Sequence, residues 1–300
     1  MKKLIILLLL FNSAIYAQDF SFSQWQKSAQ FVNPAYNFRN QNRIYYGLKF
    51  QQPSLSNSIT TQVLSYHTRI RQIGGFIGGF LMHDAYLNNA SSISQIGIDY
   101  NYVLLLSRKF SITFGVSPQL QYRRFNPNKF AFQDQIFPRD GVINDFNEPN
   151  QAFGFDSDIG IVFRYSEIYL GFNTRHLLQS NLYRPTLYSL QIGNTFLRKF
   201  ENHLLDVGLL AMSQDNFNYL VFNISYQFKF IYGGINYQIR NNFGFHLGTR
   251  FKGFDISYQY DMMQSLLTNA SGTNHELSLS WYYKSKRNCS GCTRISMPDF

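Results

Sequence analysis

A histidine beside a glutamate, His275-Glu276, is the pair in this chain that most suggests acid–base chemistry. It lies in Gly272-Thr273-Asn274-His275-Glu276-Leu277-Ser278-Leu279, which reads as a strand. Neighbours on a strand point to opposite faces, so imidazole and carboxylate cannot act on one substrate. The remaining histidines, His67, His83, His176, His203 and His246, are scattered. None has the paired spacing that sets two imidazoles on one helix face for a metal. A Ser/His/Asp triad is recognised by geometry and not by spacing, so convergence from separate strands stays open. With no spacing in its favour, the chain is expected to be non-enzymatic, with no cofactor and no metal.

The two cysteines form Cys289-Ser290-Gly291-Cys292 in a basic tail. A disulfide or a pair of free thiols is the expected state, the former favoured in an oxidising compartment. A redox motif would need a thioredoxin-like βαβ context, and a zinc site would need two more ligands.

The elements that must position these residues are strands. The chain holds 30 Phe and 21 Tyr among 300 residues and is only 15% charged. Aromatic and β-branched side chains suit a pleated, half-buried surface. The mean hydropathy of -0.22 argues against a helical membrane protein. It suits a sheet that shows apolar groups to lipid and polar groups to a lumen.

Residues 1–17 read as a signal peptide: Lys2 and Lys3, an apolar Leu4–Phe11, and a small-residue end with cleavage expected near Ala17. The apolar run is too short to span a bilayer as a helix. Removing Lys2 and Lys3 lowers the net charge from +10 to +8. Export makes nucleic acid an improbable partner for that charge. A basic lumen, or a rim facing anionic outer-membrane lipids, accounts for it better.

Period-2 alternation predicts about fourteen strands, near 43–52, 58–70, 72–83, 92–106, 109–124, 152–165, 167–175, 187–198, 202–213, 217–229, 230–240, 242–252, 253–262 and 273–284. In one, Leu220, Phe222, Ile224, Tyr226 and Phe228 alternate with Asn223, Ser225, Gln227 and Lys229. Many segments approach the ~9–11 residues that a tilted strand needs to cross hydrocarbon. Even-numbered connections are tight and odd-numbered ones mostly long, as outer-membrane barrels arrange their periplasmic and outer sides. The expected fold is therefore all-β, a transmembrane antiparallel β-barrel over 43–284 with periplasmic N- and C-termini. Residues 18–42 form a periplasmic segment packing under or into the barrel, and 285–300 a periplasmic tail. A secreted sandwich or propeller fits less well, because strands this long and aromatic would expose large patches to water.

The longest connection, Phe125–Gln151, contains Asn126-Pro127, Phe137-Pro138 and Asp140-Gly141 turn pairs and five aromatics. Such loops are functional or disordered; a plug inside the lumen and a docking surface are equally compatible with it.

Several stretches together resemble the PorP/SprF family of type IX secretion system outer-membrane proteins, found in Bacteroidota. They are Phe22-Ser23-Gln24, Asn33-Pro34-Ala35-Tyr36, and Arg43 with the strand to Lys49, Gln52 and Pro53. In the long loop stands Phe132-Gln133-Asp134-Gln135. Near the end come Ile256-Ser257-Tyr258-Gln259-Tyr260-Asp261, then Ser265-Leu266, the Gly272–Leu279 element, the two cysteines and Pro298-Asp299-Phe300. The loop at Asp84–Ser91 is poorer in Gly than the family pattern. The resemblance implies a barrel that works with the type IX translocon and periplasmic lipoproteins in delivering or anchoring large surface adhesins, including gliding adhesins. It singles out Asn33, Pro34, Ala35, Asp134, Gln135, Tyr260, Asp261, His275 and Glu276 as partner-binding or structural positions. Asp261, His275 and Glu276 are expected chiefly to pin the closing hairpin. The rival functions are an outer-membrane channel or small-molecule transporter with a polar lumen, and a purely structural barrel.

Overall fold

The computed structural model describes residues 21–36, 41–53, 58–70, 73–87, 89–126, 151–178, 184–197, 202–215, 217–239, 242–263 and 273–284. A single-turn helix, α1 (Ala29–Val32), precedes fourteen strands. These are β1 (Gln41–Gln51), β2 (Ile59–Ile70), β3 (Gly75–Tyr86), β4 (Ser91–Leu105), β5 (Phe110–Phe125), β6 (Gln151–Tyr165) and β7 (Ile168–Arg175). They continue as β8 (Leu187–Phe196), β9 (His203–Gln214), β10 (Phe217–Phe228), β11 (Ile231–Gln238), β12 (Asn242–Phe251), β13 (Phe254–Met263) and β14 (Thr273–Lys284). Each strand pairs antiparallel with its neighbours in sequence. β1 meets β14 from Gln41↔Lys284 to Gln51↔Asn274, which closes the sheet into a barrel.

The alternation read from the sequence is the inside–outside alternation of the wall. On β10, Phe222, Ile224, Tyr226 and Phe228 are exposed, while Asn223 between them is 1% exposed. On β13, Ser257 and Gln259 are buried between exposed Ile256 and Tyr258. Outward aromatics gather at the tight-turn mouth, where Tyr165, Phe196, Phe228, Phe251, Phe254 and Trp281 are exposed. Phe254 and Trp281 stack there at 5.7 Å. Phe50, Phe153, Tyr188 and Tyr237 stand at the opposite mouth. Two aromatic rings flanking an apolar band are what a barrel presents to the two interfaces of a bilayer. No described helix is long and apolar enough to cross a membrane; the strands do so.

The tight turns at Ser166, Lys229 and Lys252-Gly253 use the left-handed region. Lys252 (φ 49°) and Gly253 (φ 89°) form the two-residue link between β12 and β13. Positive φ at both positions is the geometry whose twist matches the flanking strands.

The expected strands match the observed ones except in detail. β3 begins at Gly75, three residues later than expected, and runs to Tyr86. Gly74 takes φ 66° and bends the chain first. Alternation is weak in Gly74-Gly75-Phe76-Ile77-Gly78-Gly79, so pairing with β2 and β4 sets the limits there.

The lipid-facing assignment has an energetic consequence. Ile224→Arg, at the middle of outward-facing β10, should destabilise the folded barrel by about 2–4 kcal/mol. Urea titration of folding into phospholipid vesicles measures it, and a change below ~0.5 kcal/mol would contradict the assignment.

Candidate functional site

Residues 21–36 lie inside the barrel, and their packing defines the candidate site. Lys27 and Ser28 N–H groups donate to the Gln24 carbonyl at 2.9 and 3.4 Å, turning the chain into α1. Pro34 disfavours a helical conformation at the residue before it. Asn33 is accordingly extended (φ -150°, ψ 118°), and its N–H closes α1 on the Ala29 carbonyl at 2.9 Å. The Asn33 side-chain oxygen then accepts from Ala35 N–H at 2.9 Å, an Asx turn that reverses the segment.

Apolar side chains of this plug reach two walls. Trp25, Ala29, Val32, Ala35 and Tyr36 pack with Val162, Tyr169, Leu210 and Val221 on β6, β7, β9 and β10. Phe22 and Phe31 pack with Tyr45, Val63, Phe80 and Met82 on β1–β3. Phe31 meets Phe80 edge to face at 5.3 Å.

Polar anchors fix its position along the axis. Near the long-loop mouth, Ser23 N–H donates to both Glu276 carboxylate oxygens at 2.8 and 3.0 Å, and Lys49 Nζ pairs with Glu276 at 2.9 Å. Ser23 Oγ donates to Asp261 at 2.5 Å, and Lys49 also donates to the Ser21 carbonyl. Toward the tight-turn mouth, Lys27 Nζ sits 2.6 Å from Asp255, which Arg250 also holds at 2.8 Å. Lys27 lies 4.2 Å over the Tyr232 ring. Arg43 Nη2 donates to the Lys27 carbonyl at 2.6 Å and to Ser280 at 2.9 Å. The segment thus runs from near the long-loop mouth at Ser21 down toward the tight turns at Lys27. Buried ions on both sides make it a registered fit, since an unpaired buried charge is costly.

The Asn33-Pro34-Ala35 element packs against the wall formed by β5–β8. Asn33 Nδ2 donates to Gln191 Oε1 at 2.9 Å and to the Phe172 carbonyl at 3.1 Å. Its seat exists because two adjacent strands carry glycine there. A Cβ on Gly160 would come 2.0 Å from Asn33 Oδ1, and one on Gly115 would come 2.3 Å from Ala35 N. Gly115 and Gly160 are direct partners across β5 and β6.

The positions singled out from the sequence separate by face. Asn33, Pro34, Ala35, Asp261 and Glu276 converge on the plug or its anchors. Tyr260 and His275 point outward, with ring centroids 5.4 Å apart, and His275 Nδ1 is 2.6 Å from the Tyr258 hydroxyl. Glu276 and Asp261 therefore hold the N-terminal segment as well as belonging to the closing hairpin. Asp134, Gln135, Cys289 and Cys292 lie outside the described residues, as do residues 1–17, the expected signal peptide. Sequence reasoning did not single out Lys27, Asp255 or the seat glycines as site residues. Asp255 could have been found, because it occupies the inward parity of β13 ahead of Asp261.

One described group could offer metal ligands: Asp156, Asp158 and His176, all buried. Arg175 Nε holds Asp158 at 3.1 Å, and Gln119 and Gln121 donate to Asp158 and Asp156 at 3.3 and 3.1 Å. His176 Nδ1 contacts the Asp156 carboxylate directly. These bonds tie β5, β6 and the end of β7 together at the long-loop mouth, and they already satisfy the carboxylates.

A closed antiparallel sheet with an apolar outer band, aromatic rings and a polar, filled interior is a transmembrane β-barrel of the outer-membrane class. The chain belongs to the PorP/SprF family: the model of type IX secretion system membrane protein PorP/SprF matches residues 14–281. It is an outer-membrane protein of that secretion system's family. Among solved structures, the CymD monoaromatic hydrocarbon channel is similar with a TM-score of 0.53 at 10% identity, over 87% of this chain and 93% of that chain. The P. putida toluene transporter TodX is similar with a TM-score of 0.50 at 10% identity, over 86% and 94%. At this identity the likeness is one of fold. None of the curated proteins matches the chain.

Gly160→Leu should expel the Asn33 element without opening the wall. Limited trypsin digestion in micelles should then cleave after Lys27 on the order of tenfold faster, as expected when the open population rises, while the barrel keeps its unboiled electrophoretic mobility. Unchanged cleavage would refute the proposed seat.

Proposed function

We propose that this protein is a plugged, non-enzymatic barrel that binds large secreted surface proteins of the type IX pathway and helps deliver or anchor them at the cell surface. The observation that carries this reading is the occupied lumen. Residues 21–36 fill it, with anchors at Asp255 toward one mouth and at Glu276 and Asp261 toward the other. A barrel filled by its own chain leaves its loops and outer wall as the working surfaces. Family membership supports the type IX translocon, periplasmic lipoproteins and large adhesins, gliding adhesins among them, as partners. The carboxylates of the Asp156–Asp158–His176 group are engaged in bonds across the wall, which suits a structural role better than a catalytic one. Placing the tight turns and the end of β14 in the periplasm follows the usual arrangement of outer-membrane barrels.

Mild-detergent purification from native outer membranes, with mass spectrometry of the co-purifying proteins, tests the reading. A large surface protein or translocon subunits should accompany the barrel. A solitary barrel, under conditions that preserve other assemblies of the system, would overturn it.

Single-channel recording separates it from the channel alternative. The wild-type protein should be nearly silent in planar bilayers. Glu276→Ala, which leaves the Ser23 amide and Lys49 without their carboxylate, should produce intermittent openings, since breaking such a buried pair costs about 3–5 kcal/mol. Steady wild-type conductance would favour a solute channel.

A further inference from the structure

The outer face of the wall carries a feature that the plug does not explain. On β1–β6, toward the long-loop mouth, lies a groove of about 910 Å³. Tyr46 on β1 bounds it on one side, and the Tyr122–Phe153 pair, with rings 4.7 Å apart, bounds it on the other. Its floor is a cross-strand row of exposed apolar side chains, Leu64↔Leu81↔Ile96↔Leu120.

The chemistry changes in order along the strands. One outward position nearer the mouth, the row becomes polar: Gln62↔His83↔Ser94↔Tyr122, with His83 Nδ1 and Ser94 Oγ 2.9 Å apart. One position further, the row is Thr60↔Ala85↔Ser92↔Arg124, and Arg124 is exposed. The floor lies from six residues (Leu64 from Ile70) to ten residues (Leu120 from Phe110) above the tight-turn ends. A tilted strand crosses hydrocarbon in ~9–11 residues. The floor is therefore at the depth of the distal leaflet's chains, the polar row at its boundary, and Arg124 among the headgroups.

We propose that this groove is a binding site for an anionic, acyl-chain-bearing amphiphile of the outer leaflet. Its chains lie along Leu64, Leu81, Ile96 and Leu120. Its phosphate or carboxylate headgroup meets the His83–Ser94 pair and Arg124. The sequence apolar, hydrogen-bonding, cationic along the membrane normal matches one anionic lipid end to end. A protein partner's apolar face would need no such order. The proposal rests on the long-loop mouth being the outer one, as in outer-membrane barrels generally, and is independent of the cargo reading.

The test is native mass spectrometry with lipid analysis of the protein, extracted from native outer membranes in mild detergent. Wild-type protein should retain an anionic acylated amphiphile. Ile96→Trp, which fills the groove, should lower that retention on the order of tenfold, and Arg124→Ala should lower it less. Ile224→Trp, on the outward face of β10, should leave it unchanged. Heat-modifiable electrophoretic mobility identifies variants that remain folded. Equal retention in Ile96→Trp and wild type would overturn the proposal. So would a retained species belonging to the periplasmic leaflet, or loss of a bound protein instead of a lipid.

Discussion

In a bilayer every backbone N–H and C=O must find its partner within the protein, because hydrocarbon offers none. Closing β1 onto β14 over eleven residue pairs meets that demand at the seam as along the rest of the wall. Closure also sorts the side chains. Each strand sends alternate residues to lipid and to the interior, so apolar residues take one parity and Asn, Gln, Ser, Asp and Glu the other. The interior is then polar, and the N-terminal segment meets that polarity with its own backbone amides, Lys27 and Asn33.

The plug is held by unlike forces at different places. Its aromatic and aliphatic side chains find small apolar patches on otherwise polar walls, and burial there is non-directional. The ions are directional. Both carboxylate oxygens of Glu276 share the Ser23 N–H, and Glu276 pairs with Lys49, while Asp255 is shared by Lys27 and Arg250. Buried ion pairs are weak evidence for stability but can fix register. Here they separate the long-loop end of the segment from its tight-turn end. A filled lumen moves function to the surfaces that remain, which are the loops, the mouths and the lipid-facing wall. That wall is uneven, since β4, β5 and β6 have 15, 16 and 15 residues whereas β7 and β11 have 8 each.

Much of the fold was legible in the sequence, because its main determinant is local. Parity along Tyr219–Lys229 or Phe254–Asp261 reports directly which side of a wall each residue faces. The alternation of tight and long connections separates one mouth from the other. The reading weakened where this signal did: at β3, glycines erase the alternation and pairing with neighbours decides the limits. Opposite faces for His275 and Glu276 followed from the strand period alone, and the structure shows the imidazole on the lipid side and the carboxylate on the plug.

The sequence by itself determined the class of protein, the number of its strands and the facing of their side chains, and its resemblance to the family pointed to Asn33-Pro34-Ala35, Asp261 and Glu276. Only the tertiary structure decided what those residues touch. Glu276 is 253 positions from Ser23, and Lys27 is 228 from Asp255. No period or motif encodes contacts at such separations, because they depend on the barrel's curvature bringing distant strands around one segment. The seat at Gly115 and Gly160 has the same origin. A glycine in a strand leaves space, but what fills that space is set by whatever the closed sheet encloses.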